Sequence, residues 1–149
     1  AAARQRGVHA WIETVAPYLV LDETYAQKPS FEGAKYVMSP PLRAKRHQDA
    51  IWNALASRTV STIATDHAPF DFKDQKEMGR ADFTKIPNGI PSLEDRVNLL
   101  YTYGVCRGKL ELTRFVDVAS TQAASRTRKT SSREPTSFSA ATFALATSP

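Results

Sequence analysis

The chain has 149 residues, 42% hydrophobic and 23% charged, enough for one modest core and no more than an ordinary globular composition demands. Its formal charge of +5 is concentrated in the last 29 residues, where Arg126, Arg128, Lys129 and Arg133 face only Glu134. The remainder is nearly balanced, which excludes the clustered basic footprint of a nucleic-acid partner. No apolar run approaches the roughly 20 residues of a membrane span, so no membrane partner is expected and the cytoplasm is the expected location. Cys106 is the only cysteine, so an internal disulfide is excluded, and the thiol is expected to be a small buried apolar group.

Val8, Ala10 and Ile12 alternate with His9, Trp11 and Glu13, a period of two that predicts a strand reaching Thr14 and ended by Pro17. The next stretch, YLVLDETYAQKPSFEGAKYVMSPPLR, has turn residues and no sustained period, and reads as a long loop of the kind that carries function. From Lys45 a helix of about three turns is predicted, with Ala50, Ile51, Ala54 and Leu55 on its apolar side and Ser57 to Thr59 leading out. VSTIAT at 60–65 is a short β-branched run, the composition of a buried strand, and it runs directly into Asp66, His67 and Pro69.

A second loop, FDFKDQKEMGRADFTKIPNGIP, precedes Ser92, which is expected to cap a helix presenting Leu93, Val97, Leu100 and Tyr101 on one face and ending at Gly104 or Gly108. A further helix from Leu112 to about Ala123 is expected to turn Phe115, Val116 and Ala119 inward. Strand, loop, helix, repeated twice, defines an α/β class with parallel strands. Beyond Ala124 the sequence turns to Ser, Thr and Ala without a period. Residues 125–149 are therefore expected to be a disordered or aberrant tail, as a shifted reading frame would produce.

Asp66 is the sharpest chemical signal. A carboxylate at the C-terminal mouth of a buried strand stands where barrel enzymes place catalytic groups, and it can bind a divalent ion or take a proton from water. Taken alone, an Asp at a strand end is more often a turn former.

The strings FEGAKYVMSPPLR, TDHAPFDFKDQKEMGRADFTKIPNG and EDRVNLLYTYGV resemble the dihydropyrimidinase and D-hydantoinase family of the amidohydrolase superfamily, over about residues 7 to 123. The resemblance implies the C-terminal portion of a (β/α)8 TIM-type barrel, its last two βα units, occupying residues 1–124 of a longer protein. It implies opening of cyclic amides such as dihydropyrimidines and hydantoins, with two zinc ions per complete site and a homotetrameric parent. By the same resemblance Asp66 is the last metal ligand and the proton carrier, and Ser39 and Asn88 hold the cyclic amide ring. The remaining ligands, mostly histidines, have no counterpart among His9, His47 and His67, so a fragment inactive on its own is expected. His67 is assigned to hydrogen bonding rather than ligation, because a neighbour along an extended chain points elsewhere.

Three departures from the family pattern stand out: TVAPYL where a Cys-Pro pair is common, Ile90 where a glycine is common, and the tail itself. Allantoinase or dihydroorotase shares the Asp-His-Ala-Pro element, and the non-enzymatic collapsin-response-mediator proteins share the overall pattern. Phe70 and DFTKIPNG favour the dihydropyrimidinase branch over the former, and retention of Asp66 argues against the latter.

Overall fold

The computed structural model describes residues 5–8 and 10–125; the expected tail beyond Ser125 and the strand position of His9 lie outside them. Two strands, β1 (Glu13–Val15) and β2 (Thr62–Ala64), pair in parallel with Thr14 opposite Ile63. The chain is therefore α/β, with its small sheet crossed by helices. The first strand is shorter than its alternation predicted: Val8 and Trp11 are more than half exposed, so only the last turn of the period is covered by other elements. The alternation is real in sequence, yet pairing with β2 begins only at Glu13.

Between the strands come a 3-10 turn (Ala16–Leu19), a one-turn helix α1 (Glu23–Ala26), a second 3-10 segment (Glu32–Tyr36) and helix α2 (Arg46–Ala56). Pro17 sits in the first turn of its 3-10 segment, where a missing N–H costs nothing, and Asp22 caps α1 by accepting from the Thr24 amide. After β2 two 3-10 segments, Lys76–Gly79 and Phe83–Lys85, lead to α3 (Asp95–Leu99), which continues as a π-helix over Leu100–Val105. Helix α4 (Leu112–Val116) likewise widens into a π-helix over Asp117–Thr121.

Successive strand residues face opposite ways, and this divides the core in two. Ala16 and Ile63 join Leu19, Trp52, Leu55, Val60, Leu100, Leu110 and Val118 against the helices. Val15 faces the other side, packing with Tyr18, Met38, Leu42 and Ile90, partly under Ala64. The first cluster holds the helices to the sheet. The second lies beneath the loops that leave the strand ends.

The helices dock in part through the expected faces, with Leu55 and Leu100 completely buried and Ile51, Ala54, Phe115 and Ala119 packed against the same cluster, while Ala50, Leu93, Val97, Tyr101 and Val116 are exposed. In α2 the fully covered residues are Trp52 and Leu55, while Ala50 is exposed. In α3, Leu93, Val97 and Tyr101 stand in solvent and Leu100 is completely buried. The reason is Arg96, whose guanidinium reaches under the helix to the carbonyls of Ile63 (3.1 Å) and Ala119 (3.0 Å) and turns that side toward the sheet.

Arg114 does the same for α4. Its guanidinium is buried, donates to the carbonyls of Leu55 (2.7 Å) and Val60 (2.5 Å), and pairs with Asp117, so Val116 points outward while Val118 goes in. Cys106, expected inside, is exposed in the turn after the π-helix. Gly108, at φ +67, makes the reversal there. Gly104 instead lies against Trp52 and Leu110, where a Cβ would meet the indole at 3.0 Å.

Candidate functional site at the strand C-termini

Because β1 and β2 are parallel, both release their chains at the same end of the sheet. From β1 the chain passes into Tyr18, whose hydroxyl donates to the Pro40 carbonyl at 2.6 Å. From β2 it passes through Thr65 to Asp66, which is exposed and adopts a left-handed conformation (φ +49). Asp and Asn tolerate that conformation better than most residues. The turn it makes leads to His67 and Ala68, where His67 forms a parallel bridge to Ile90 and the Ala68 amide donates to the Ile90 carbonyl at 3.3 Å.

The Tyr18 hydroxyl is pushed up to about 12, chiefly by burial and further by the negative charge of Asp66, with Arg43 pulling the other way. Through its bond to Pro40, Tyr18 also touches the loop holding Ser39. Ser39 itself is exposed, just before Pro40. Asn88 is also exposed, and its side-chain amide makes one long bond of 3.4 Å to the Ile86 carbonyl.

The loops of Ser39 and Asn88 are tied directly together: the Gly89 amide donates to the Val37 carbonyl at 3.0 Å. Gly89 also abuts the Asp66 turn so closely that a Cβ there would lie 2.5 Å from the Ala68 carbonyl oxygen, at a φ of +152. The three residues singled out from the sequence are thus carried by three loops joined through Gly89.

At the junction sits Lys76, absent from the sequence-derived candidates. Its side chain is 2% exposed, and its ammonium donates to the carbonyls of Val37 (3.0 Å), Pro87 (2.7 Å) and Gly89 (2.8 Å). The Phe70 ring lies 5.4 Å from the nitrogen. Burial pushes the Lys76 ammonium below its usual range, while three acceptors match its three N–H donors. Nothing in KDQKEMGR marks this lysine as different from its charged neighbours.

Peptide planarity turns these bonds into directions. The Pro87 carbonyl points at Lys76, so the Asn88 N–H across the same trans peptide points away from it. The Gly89 N–H points at Val37, so the Asn88 carbonyl points away from Val37. Since the Val37 oxygen and the Lys76 nitrogen are 3.0 Å apart, Asn88 turns both its donor and its acceptor away from one common point.

His67 is engaged as the sequence indicated, though not by an extended chain. Its Nδ1 accepts from the Ser92 and Leu93 amides, both at 3.1 Å, so that nitrogen is taken and any ring proton is on Nε2. Ser92, expected to cap α3 with its hydroxyl, instead donates that hydroxyl to the Thr65 carbonyl at 2.5 Å. Imidazole and serine together fix the start of the α3 segment to the end of β2.

A carboxylate and main-chain hydrogen-bonding groups gathered at the C-terminal ends of parallel strands define an α/β protein with its candidate site at the position where such sheets bind ligands. No family model matches the chain. Over 124 residues it is 56% identical to the D-hydantoinase of Geobacillus stearothermophilus, covering 83% of this chain and 26% of that enzyme. The D-hydantoinase (dihydropyrimidinase) from a Thermus species superposes with a TM-score of 0.81 at 58% identity, covering 84% of this chain and 27% of the other. The dihydropyrimidinase from Brevibacillus agri gives 0.81 at 54%, with 83% and 27% covered. The chain is thus similar in sequence and structure to D-hydantoinases and dihydropyrimidinases, and it spans about a quarter of the length of the relatives it matches.

Among the described residues no helix is long and apolar enough to cross a membrane.

Proposed function

We propose that this chain is one part of a cyclic-amide hydrolase, supplying the catalytic carboxylate and the ring-holding loops of a site completed by the rest of a longer protein. The observation that carries this reading is the orientation of Asn88, which turns its N–H and C=O outward beside the Asp66 turn. An amide closed in a five- or six-membered ring is held cis, so its own N–H and C=O project from one edge. A single residue offering a donor and an acceptor is the complement of that edge. Ser39, on the loop tied to Asn88 through Val37 and Gly89, supplies a further hydroxyl and main-chain groups.

Asp66 would act as the base that takes a proton from the attacking water and returns it to the departing ring nitrogen. Its exposed carboxylate at the end of β2 is accessible to both. Ring opening then needs the carbonyl to be polarised, which in the family is assigned to zinc. Among the described residues no group of three or more His, Cys, Asp or Glu could hold a metal ion, and Nδ1 of His67 is already occupied. A pair of zinc ions therefore does not fit these residues by themselves. Asp66 offers one ligand to such a centre, and the others must come from outside the described segment.

In architecture, the two parallel strands with their helices correspond to two βα units of the proposed (β/α)8 barrel. The homotetramer expected of the parent is part of the same proposal. The test is hydrolysis of hydantoin and dihydrouracil by the complete protein and by the 149-residue chain. Turnover is expected from the first and not from the second. Zinc-dependent turnover by the isolated chain would refute the division of labour, and a complete protein that opens neither ring would refute the function.

A further inference from the structure

Among the described residues Lys76 is the largest of the completely covered side chains, and its hydrogen-bond acceptors are all main-chain carbonyls. As a stabilising device this is a poor choice. Removing an ammonium from water costs more than burying an apolar chain of similar length, and a methionine would fill the same space without that cost. What an apolar chain cannot do is draw three carbonyl oxygens from two separate loops onto one point. Without the cation those three dipoles face each other and repel, and the peptides carrying them are free to rotate.

The carbonyls concerned flank the residues proposed to hold the ring. Val37 lies two positions before Ser39, and Pro87 and Gly89 bracket Asn88. The ammonium at 2.7 Å from the Pro87 oxygen also polarises that peptide, which strengthens the Asn88 N–H as a donor on the opposite side. The Phe70 face closes over the ammonium and keeps the interaction in a low-dielectric setting.

Resting on the cyclic-amide reading, we propose that Lys76 is a positioning residue for substrate binding: its buried ammonium fixes and polarises the peptide groups of the two ring-holding loops, and acts on the substrate only through them. The effect belongs to recognition of the ring and not to the proton transfer at Asp66.

The experiment compares wild type with Lys76→Met and Lys76→Gln in the complete hydrolase, with steady-state kinetics, an active-site titration and a thermal melt on each. Lys76→Met is expected to raise KM by about tenfold or more, as the loss of an aligned hydrogen bond does, while kcat per titrated site stays within about threefold of wild type. Lys76→Gln, which keeps two N–H donors but no charge, should fall between. An unchanged KM, with only a lower melting temperature or fewer active sites, would make Lys76 a structural residue and overturn the proposal. Failure of both variants to fold would overturn it in the same way. If wild type itself opens no cyclic amide, the functional reading fails first, a result visible before any variant is compared.

Discussion

Replacing Gly89 by alanine tests whether the Asp66 turn and the Asn88 loop work as one site. The new Cβ would start 2.5 Å from the Ala68 carbonyl oxygen and 2.6 Å from the Ala68 Cβ, both rigid parts of the backbone neighbourhood. An ordinary carbon–oxygen contact is about 3.3 Å, so the two loops must separate by roughly 0.8 Å. The backbone adds strain of about 1–3 kcal/mol, because φ of +152 suits glycine and not alanine. A displacement near 1 Å between a base and the group that orients its substrate costs up to about 100-fold in rate. In the complete hydrolase, kcat/KM on hydantoin or dihydrouracil is therefore expected to fall by about 10- to 100-fold, with a modest drop in melting temperature. A Gly89→Ala enzyme with wild-type kinetics and an unchanged melt would show that the contact between the loops carries nothing, and the site as described would be wrong.

Asp66→Asn keeps a residue comfortable at φ +49 and an exposed side chain, so circular dichroism should be unchanged while turnover drops by about 10²- to 10⁴-fold; a variant retaining full rate would assign the base elsewhere. Asn88→Ala should alter KM by less than about threefold, since its side chain makes only the 3.4 Å bond and the main chain does the work; a large loss would give the role to the side-chain amide. Arg114→Met leaves the buried Leu55 and Val60 carbonyls without their donor, while Asp117 keeps Arg58, and should destabilise the folded protein by about 2–4 kcal/mol in urea unfolding, against no change if the guanidinium were dispensable. Tyr18, raised to about 12 when folded, contributes stability that is complete below pH 10 and lost as pH rises toward 12, because the unfolded chain releases the phenolic proton first. A shift of that size corresponds to about 3 kcal/mol, so unfolding free energy should slope downward over that window in wild type and lose that component in Tyr18→Phe.

Local pattern was sufficient for some elements and for the carboxylate that follows the second strand. The β-branched run before Asp66 forms the predicted strand at Thr62–Ala64, the apolar spacing after Lys45 gives the helix Arg46–Ala56, and the two segments punctuated by Pro and Gly do follow the strands, though the first contains the short helix Glu23–Ala26 and the 3-10 segment Glu32–Tyr36. These are short-range consequences of side-chain shape and backbone preference, so neighbouring residues encode them. The long motif strings around Ser39, Asp66 and Asn88 marked the resemblance that the 56% identity bears out.

Periodicity, however, states only that a helix has an apolar side, not which side another element will cover. Of the side formed by Leu93, Val97, Leu100 and Tyr101 only Leu100 is buried, because Arg96 finds the carbonyls of Ile63 and Ala119 and turns its own side of the helix toward the sheet. The same holds for Lys76. In sequence it is one charge among several in a loop, and its burial depends on the carbonyl of Val37, 39 residues away, meeting those of Pro87 and Gly89. Composition and spacing determined that a carboxylate would stand at a strand end with polar loops nearby. Only the folded chain decided how those loops are held, because a hydrogen bond between distant residues is a property of their approach in space and leaves no mark in the local pattern of either one.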